Sequence, residues 1–258
     1  MSSKMNLKKE IQHKLGNQSI TSINPPTPIL SNSLLHKTVH AAGHDLRSPL
    51  FVIRSYSQLL QKTQEKKLLE NGFQLMDEAT TKMEKTINEL VGLIDLYTLP
   101  FPTKKMVSFE IAIESAKLQL TKLINKHQPK LYHDFNDFST VNFNEQYLAN
   151  ILVFLIDNAI RHNAEKENLE IKISSKKTGK DLVLVVQDNG QGIKDDPENV
   201  KAAFYTYTSN EDPECVGMGL AKVQAIAQVS QNSFLIESKP GLTKVSFVFE
   251  GCAELLNC

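Results

Sequence analysis

Apolar residues recur at alternating intervals of three and four between residues 34 and 100. One series runs from Val39 to Leu60 and a second from Leu69 to Ile94, with a polar stretch between them. Such heptad seams predict two helices that pack side by side as an antiparallel hairpin. We expect the apolar surface left over to pack against a second copy, giving a dimeric four-helix bundle. Packing of a single hairpin on the rest of the chain is the alternative.

The hairpin is flanked by two different kinds of sequence. Residues 1–33 are predicted to be a tail and linker, because Pro25, Pro26 and Pro28 interrupt any helix. Residues 101–258 mix helix-like and strand-like patterns. Helices are predicted at 108–126, 144–162 and 217–230, and strands at 130–135, 169–175, 182–187, 233–237 and 243–249. This mixture predicts an α+β sandwich, a sheet covered by helices on one face.

Charge and composition narrow the class of protein. The 29 basic and 29 acidic residues balance, which argues against nucleic acid or an anionic membrane as a partner. No apolar run approaches the roughly 18 residues of a membrane span, and no signal peptide follows the basic N-terminus. We therefore expect a soluble, cytoplasmic protein without a membrane span. Its three cysteines, Cys215, Cys252 and Cys258, are expected to be reduced thiols.

His44 is the first candidate for chemistry. The seam occupies the opposite side of its helix, so the imidazole is predicted to face solvent. Arg47 and Ser48 share its face at i+3 and i+4 and would place a cation and a hydroxyl beside a phosphate on the ring. Asp45 could accept the other ring N–H and leave the free nitrogen nucleophilic. Pro49 frees the carbonyl of Asp45 and bends the helix locally.

A metal site is a competing interpretation of the same helix. His36, His40 and His44 recur at four-residue intervals, a spacing that can bind a transition metal. No carboxylate or cysteine completes the set on that face, so a solvated histidine stripe is favoured.

Three clusters in the C-terminal part could bind a nucleotide. Asn158 could offer its amide oxygen to Mg²⁺, and Arg161, one turn later, could meet phosphates; a polar helix end without a ligand is the alternative. Asp188 follows a predicted strand and precedes Gly190 and Gly192. Its carboxylate could accept a hydrogen bond from the exocyclic amine of adenine, while the glycines let the backbone approach the ring. The third cluster begins at Gly217, where a helix start can present free N–H groups to an anion.

The order of these clusters resembles the histidine kinases of two-component systems over about residues 34–250. His44–Leu50 looks like their H box, Asp157–Asn163 the N box, Asp188–Gly192 the first glycine box and Gly217–Ala221 the second. Phe204 and Tyr205 match the F box, and Thr206–Val216 would be the lid over ATP. The resemblance implies a dimerisation and phosphotransfer domain at 34–100. At 101–258 it implies an ATP-binding domain of the kind shared with Hsp90, MutL and gyrase.

The resemblance also implies roles for individual residues. His44 would attack the γ-phosphate of Mg-ATP and pass the phosphoryl group to an aspartate of a response regulator, with Asp45 as its acid/base partner. Asp188 would bind adenine and Asn158 would bind Mg²⁺. The expected nucleotide-binding set is Asn158, Arg161, His162, Asp188, Gly190, Gly192, Ile193, Gly217, Met218, Gly219 and Leu220.

Two departures from the family pattern bear on activity. Phe154 stands one turn before Asn158, where the family usually carries a second asparagine that helps to hold Mg²⁺. Cys215 stands where a lid glycine is usual. They support a second hypothesis beside the active kinase, in which the chain is a degenerate kinase that acts as a dimeric phosphotransfer or docking scaffold for a receiver domain, with little or no ATP turnover.

Overall fold

A computed structural model describes residues 32–62, 65–193, 200–201 and 216–252, with side chains from Thr38 onward. The predicted tail therefore lies almost wholly outside the described residues, as do the predicted F box and all of the predicted lid except Val216. In the described ranges, no helix has both the length and the apolar character needed to cross a membrane.

Two long helices, α1 (Asn32–Leu60) and α2 (Lys66–Thr98), form the predicted hairpin. Four of the five buried positions of α2 are spaced by seven residues, at Gly72, Ala79, Thr86 and Leu93; the fifth is Tyr97. Most of these side chains are small, so the helices approach closely; a β-carbon built on Gly72 would lie 2.8 Å from Leu60 Cδ2.

The packing seam of α2 therefore differs from the predicted one. Phe73 and Ile87, which the spacing placed on the seam, are 61% and 45% exposed. They lie one position beyond the small residues that make the close contact. Phe51 of α1 is also largely exposed. The single hairpin thus leaves an apolar surface uncovered, which is the condition that the dimer prediction requires.

The C-terminal part is a five-stranded sheet with helices and one small extra sheet. Its strands are β2 (Lys130–Asp134), β4 (Glu170–Thr178), β5 (Asp181–Asp188), β6 (Ser233–Lys239) and β7 (Leu242–Phe249), in the order β2-β4-β5-β7-β6. Only the β2–β4 pair is parallel. All five predicted strands are present. A two-stranded antiparallel sheet of β1 (Lys105–Ser108) and β3 (Thr140–Phe143) was not predicted.

In the part of this domain that the structure describes, the helices with defined bounds are α3 (Phe109–Gln119), α4 (Thr121–His127), α5 (Glu145–Arg161) and α6 (Gly219–Val229). A turn at Leu120 divides the helix predicted over 108–126 into α3 and α4. Helix α5 begins where the Asn144 side chain accepts a hydrogen bond from Tyr147 N, at 3.0 Å.

Alternation along the strands fixes which face of the sheet the helices cover. Leu182, Leu184 and Val186 of β5 enter the main core with the buried residues of α5, whereas Val183 and Val185 point to the other face. The C-terminal end of β5 therefore lies beside the C-terminal end of α5. The candidate active site is formed at these two ends.

Helices α2 and α6 pack against each other and join the hairpin to the sheet domain. Leu93 and Tyr97 form a buried cluster with Met218 and Ala225. The Tyr97 hydroxyl donates to Gln228 Oε1 at 2.8 Å, and burial raises the pKa of Tyr97 to about 12. The hairpin therefore contacts the same helix whose start carries the second glycine cluster.

Candidate active site

Asp188 lies at the end of β5 with its carboxylate buried. Oδ1 accepts a hydrogen bond from Gly190 N at 2.8 Å and another from Asn163 Nδ2 at 3.3 Å. Burial raises the pKa of Asp188 to about 6, and these two hydrogen bonds act in the opposite direction. The side chain is thus a fixed acceptor at one end of a cavity, suited to a ligand that donates a hydrogen bond.

Asn163 connects the helix end to the glycine loop, a role that the sequence did not predict. Its Nδ2 also donates to Ala159 O at 2.8 Å, and its Oδ1 accepts from Gln191 N at 2.9 Å. A β-carbon on Gly190 would overlap the Asn163 amide. Glycine is therefore required at 190 for a contact inside the protein, in addition to any contact with a ligand.

Gly192 holds the next part of the loop against the β6–β7 turn. Its φ is +82°, and a β-carbon there would overlap the Lys239 carbonyl oxygen. Ile193 N donates to Ser238 Oγ at 2.7 Å. The loop after β5 is thus held against the end of β6 at Gly192 and Ile193.

Gly192→Ala should destabilise the fold by about 2–4 kcal/mol, because a left-handed alanine costs about 1–2 kcal/mol and the overlap adds a similar amount. Gly179→Ala is the matched control: its φ is +66°, but nothing lies within 4 Å of the added carbon. The measurement is urea unfolding of both variants. Equal losses of unfolding free energy would contradict the backbone overlap at Gly192.

Two adjoining cavities lie between α5, the β5 loop and α6. The smaller is lined by Asp188, Gly192, Ile193 and Thr243, among others. The larger, of about 210 Å³, is lined by Phe154, Arg161 and the stretch from Val216 to Leu220. Asn158, His162 and Val200 line both cavities. One elongated ligand could therefore extend from the buried carboxylate to the glycines that begin α6.

Ion pairs orient the polar side chains of the larger cavity. Arg161 Nε donates to both carboxylate oxygens of Asp157, at 2.9 and 3.0 Å. The cavity also reaches the hairpin, since Lys85 and Glu89 of α2 line it. Burial lowers the pKa of His162, partly offset by Asp157, so this imidazole is mainly neutral at pH 7.

The ligand set of this cavity fits Mg²⁺ poorly. Among the described lining residues, Asn158 offers an amide oxygen, but the carboxylates of Asp157 and Glu89 are held by Arg161 and Lys222. Mg²⁺ sites usually combine one or two carboxylates with substrate phosphates. Phe154, one turn before Asn158, lines the cavity with a ring and supplies no oxygen.

His44 lies on the exposed side of α1, as predicted. Its side chain is 79% exposed, and Nδ1 is 3.4 Å from Asp45 Oδ1. Arg47 and Ser48 are exposed as well, whereas Pro49, within the helix, is buried. The ring is thus accessible, with a carboxylate near one nitrogen. The alternative metal stripe includes His36, whose side chain lies outside the described residues.

Every residue of the predicted nucleotide-binding set except Gly190 lines one of the two cavities. The smaller cavity takes Asp188, Gly192 and Ile193, the larger takes Arg161 and the stretch 217–220, and Asn158 and His162 line both. Gly190 lines neither cavity, but its N–H donates a hydrogen bond to Asp188. Sequence reasoning missed Asn163, Val200, Thr243, Lys85 and Glu89. For Asn163 the available signal was its position at the end of the N box; the others come from distant segments.

Comparison with known proteins identifies the relatives of the chain. Residues 143–251 match the family of histidine kinase-, DNA gyrase B-, and HSP90-like ATPases. The chain is 25% identical over 214 residues to the methanogenesis regulatory histidine kinase FilI of Methanothrix harundinacea, covering 81% of the chain and 24% of FilI. It is 27% identical over 189 residues to the signal transduction histidine-protein kinase ArlS of Staphylococcus haemolyticus, covering 70% and 40%. The chain thus spans less than half the length of these relatives.

Solved structures share the fold. Histidine kinase ThkA, solved in complex with the response regulator protein TrrA, superposes with a TM-score of 0.68 at 15% identity, covering 92% of this chain and 70% of that chain. ShkA, solved in complex with AMPPNP, superposes with a TM-score of 0.55 at 15% identity, covering 84% and 45%. At such identities the likeness establishes the fold alone.

Proposed function

We propose that the chain is an ATP-dependent protein-histidine kinase of a two-component system, because residues 143–251 match the family of histidine kinase-, DNA gyrase B-, and HSP90-like ATPases and the similar proteins include histidine kinases. The proposed reaction has two steps. The phosphoryl group of ATP passes to His44, and then to an aspartate of a response regulator. The regulator complex of the similar protein ThkA supports the second step.

One observation carries the proposal: the larger cavity reaches the hairpin at the level of His44. His44 lies sixteen residues before Leu60, and Asn88 lies sixteen residues after Gly72, which packs on Leu60. In an antiparallel pair these equal distances bring His44 to the level of Asn88. Glu89, the next residue, lines the cavity. The larger cavity and the imidazole therefore lie at one level of the hairpin, which supports the proposal.

The residues present support the following chemistry. Asp188 accepts a hydrogen bond from the exocyclic amine of adenine. The N–H groups around Gly217 and Gly219, together with Arg161, face the phosphates. Asp45 accepts the Nδ1 proton of His44, so Nε2 is the nucleophile. Nε2 forms a bond to the γ-phosphorus, the bond from phosphorus to the β–γ bridging oxygen breaks, and ADP leaves.

We further propose that the exposed apolar surface of the hairpin is covered by a second copy in a homodimer. Exposed Phe51 and Phe73 support this, because large exposed apolar side chains on a heptad helix pair are typical of an interface. We also propose that the protein acts in the cytoplasm.

The test is incubation of the purified chain with γ-labelled ATP. We expect label on the protein that is lost in acid and stable in base, which is the behaviour of a phosphorus–nitrogen bond. Label transfer to a receiver domain would follow the second step. Acid-stable label would contradict the proposal. So would label on the protein after incubation with ATP that is labelled only at the α-phosphate.

A degenerate kinase is the second candidate, and Phe154 is the observation that favours it. In that case the chain binds a receiver domain as a dimer but does not label itself. Receiver binding in solution without self-labelling would favour this candidate, whereas acid-labile self-labelling would exclude it.

A further inference from the structure

The ammonium of Lys222 lies at the junction of the two domains, beside the larger cavity. Nζ is 2.8 Å from Glu89 Oε2 and 5.5 Å from the centroid of the Phe154 ring. The Lys222 side chain is only 12% exposed. Gly92 makes room for it, since a β-carbon there would lie 3.3 Å from Nζ. In this structure the ammonium therefore lies between α2 and α5.

Both neighbours of this ammonium line the nucleotide cavity. Glu89 contributes from α2, and Phe154 contributes from α5, one turn before Asn158. Lys222 itself follows Gly219 by three residues, so it lies within one turn of the proposed phosphate-binding N–H groups. A positive charge thus borders the cavity on the side where Phe154 supplies no metal ligand.

The charges of the Lys222–Glu89 pair would allow a more highly charged acceptor to replace Glu89 beside the ammonium. Glu89 provides one carboxylate for a largely buried ammonium, and that carboxylate is itself 31% exposed. A polyphosphate carries more charge and more acceptor oxygens, and charge-assisted hydrogen bonds to phosphate are strong. The flexible stem of lysine lets the ammonium turn from one acceptor to another.

We propose that Lys222 is a phosphate-binding residue of the nucleotide site, which leaves Glu89 for a nucleotide phosphate and supplies the positive charge that a divalent cation would otherwise bring. Nucleotide binding then persists without a divalent cation. The inference rests on the proposed function in that ATP is the ligand, but it concerns binding and requires no phosphoryl transfer.

The test is calorimetric titration of the full chain with ATP and with adenosine, in Mg²⁺ and in EDTA. Wild-type protein should bind ATP in EDTA within about threefold of its affinity in Mg²⁺. Lys222→Met should weaken ATP binding by about tenfold to a hundredfold, the range for a lost charge-assisted bond, and leave adenosine binding unchanged. Unchanged adenosine binding also reports that the variant is folded.

Two further variants separate a phosphate contact from a general loss of charge. Lys117→Met is the matched control: this lysine is 27% exposed and paired with Glu114 on α3, and it lines neither cavity. It should bind ATP as wild type does. Glu89→Gln removes the competing carboxylate and should tighten ATP binding several-fold, but only while Lys222 is present, so the gain should vanish in the Glu89→Gln/Lys222→Met double variant.

Specific outcomes would overturn the inference. Loss of ATP binding in EDTA by wild-type protein, with normal binding in Mg²⁺, would reject it and leave the proposed kinase intact. Equal weakening of ATP and adenosine in Lys222→Met would assign Lys222 to domain packing and reject it too. If wild-type protein bound neither ATP nor adenosine, both the inference and the nucleotide site of the proposed function would fail.

Discussion

His44→Gln is expected to abolish the label that γ-labelled ATP places on the chain. Glutamine is close to histidine in size and polarity but has no nucleophilic ring nitrogen. Because the His44 side chain is 79% exposed, the substitution should change the free energy of unfolding by no more than about 0.5 kcal/mol. ATP binding should also remain, since His44 lines neither cavity. Autoradiography and calorimetry measure the two properties separately.

His40→Gln is the matched control for His44. His40 lies one turn earlier on α1, is also exposed and has the same ring. It should retain the label at the wild-type level. Label that persists in the His44 variant, or that is lost equally in both variants, would assign the phosphoryl acceptor to another residue.

Asp188→Asn should weaken adenosine binding by more than a hundredfold while making the protein more stable. Asparagine can still accept from Gly190 N and Asn163 Nδ2, but its neutral amide lacks the charge that strengthens a bond to a donating amine. In the absence of ligand, the ionised Asp188 carboxylate is held in a buried place. Removing that charge should raise the free energy of unfolding by about 1–3 kcal/mol at pH 8.

The pH dependence provides an independent check on Asp188. Burial raises its pKa from 3.8 to about 6 in the folded protein. The folded state therefore holds this proton more tightly than the unfolded state, so its contribution to stability falls as the pH rises from about 4 to 6 and is level above that. Asp188→Asn should lose this slope in unfolding experiments. Adenosine binding by wild-type protein should strengthen through the same interval, because the ionised carboxylate is the better acceptor.

Asp181→Asn is the control for the Asp188 variant. Asp181 lies at the other end of β5 and accepts a hydrogen bond from Gly251 N at 2.9 Å. It lines neither cavity, so adenosine binding should be unchanged. Tight adenosine binding by Asp188→Asn would show that the buried carboxylate is not the adenine acceptor.

Local patterns were sufficient for the elements that bury one clear face. Helix α5 was predicted at 144–162 and runs from Glu145 to Arg161, because its apolar spacing and its Asn144 cap agree. The strands β1 and β3 were missed because each has four residues and pairs only with the other, across 30 or more positions of the chain. The α2 seam was misplaced because large apolar residues were favoured over the small ones, such as Gly72 and Ala79, that allow close packing.

The residues of the candidate site were likewise predicted where they lie close together in the sequence and missed where they do not. Asp188 and the glycines after it were identified because carboxylate and glycine lie together in sequence at a strand end. Asn163 was not assigned a role, since its contacts join a helix end to a loop more than 20 residues later. The Lys222–Glu89 pair depends on how α2 packs against α6 and has no local signature. Tertiary contacts of this kind require the folded arrangement.

Helix α6 has a mechanical consequence for signalling. Its first residue, Gly219, lines the larger cavity, while Ala225 and Gln228 further along contact α2. Because α6 has only eleven residues, a shift of α2 that carried this contact along would also move the start of α6 at the cavity. A displacement of α2 would therefore reach the cavity that we propose to bind ATP through this single helix.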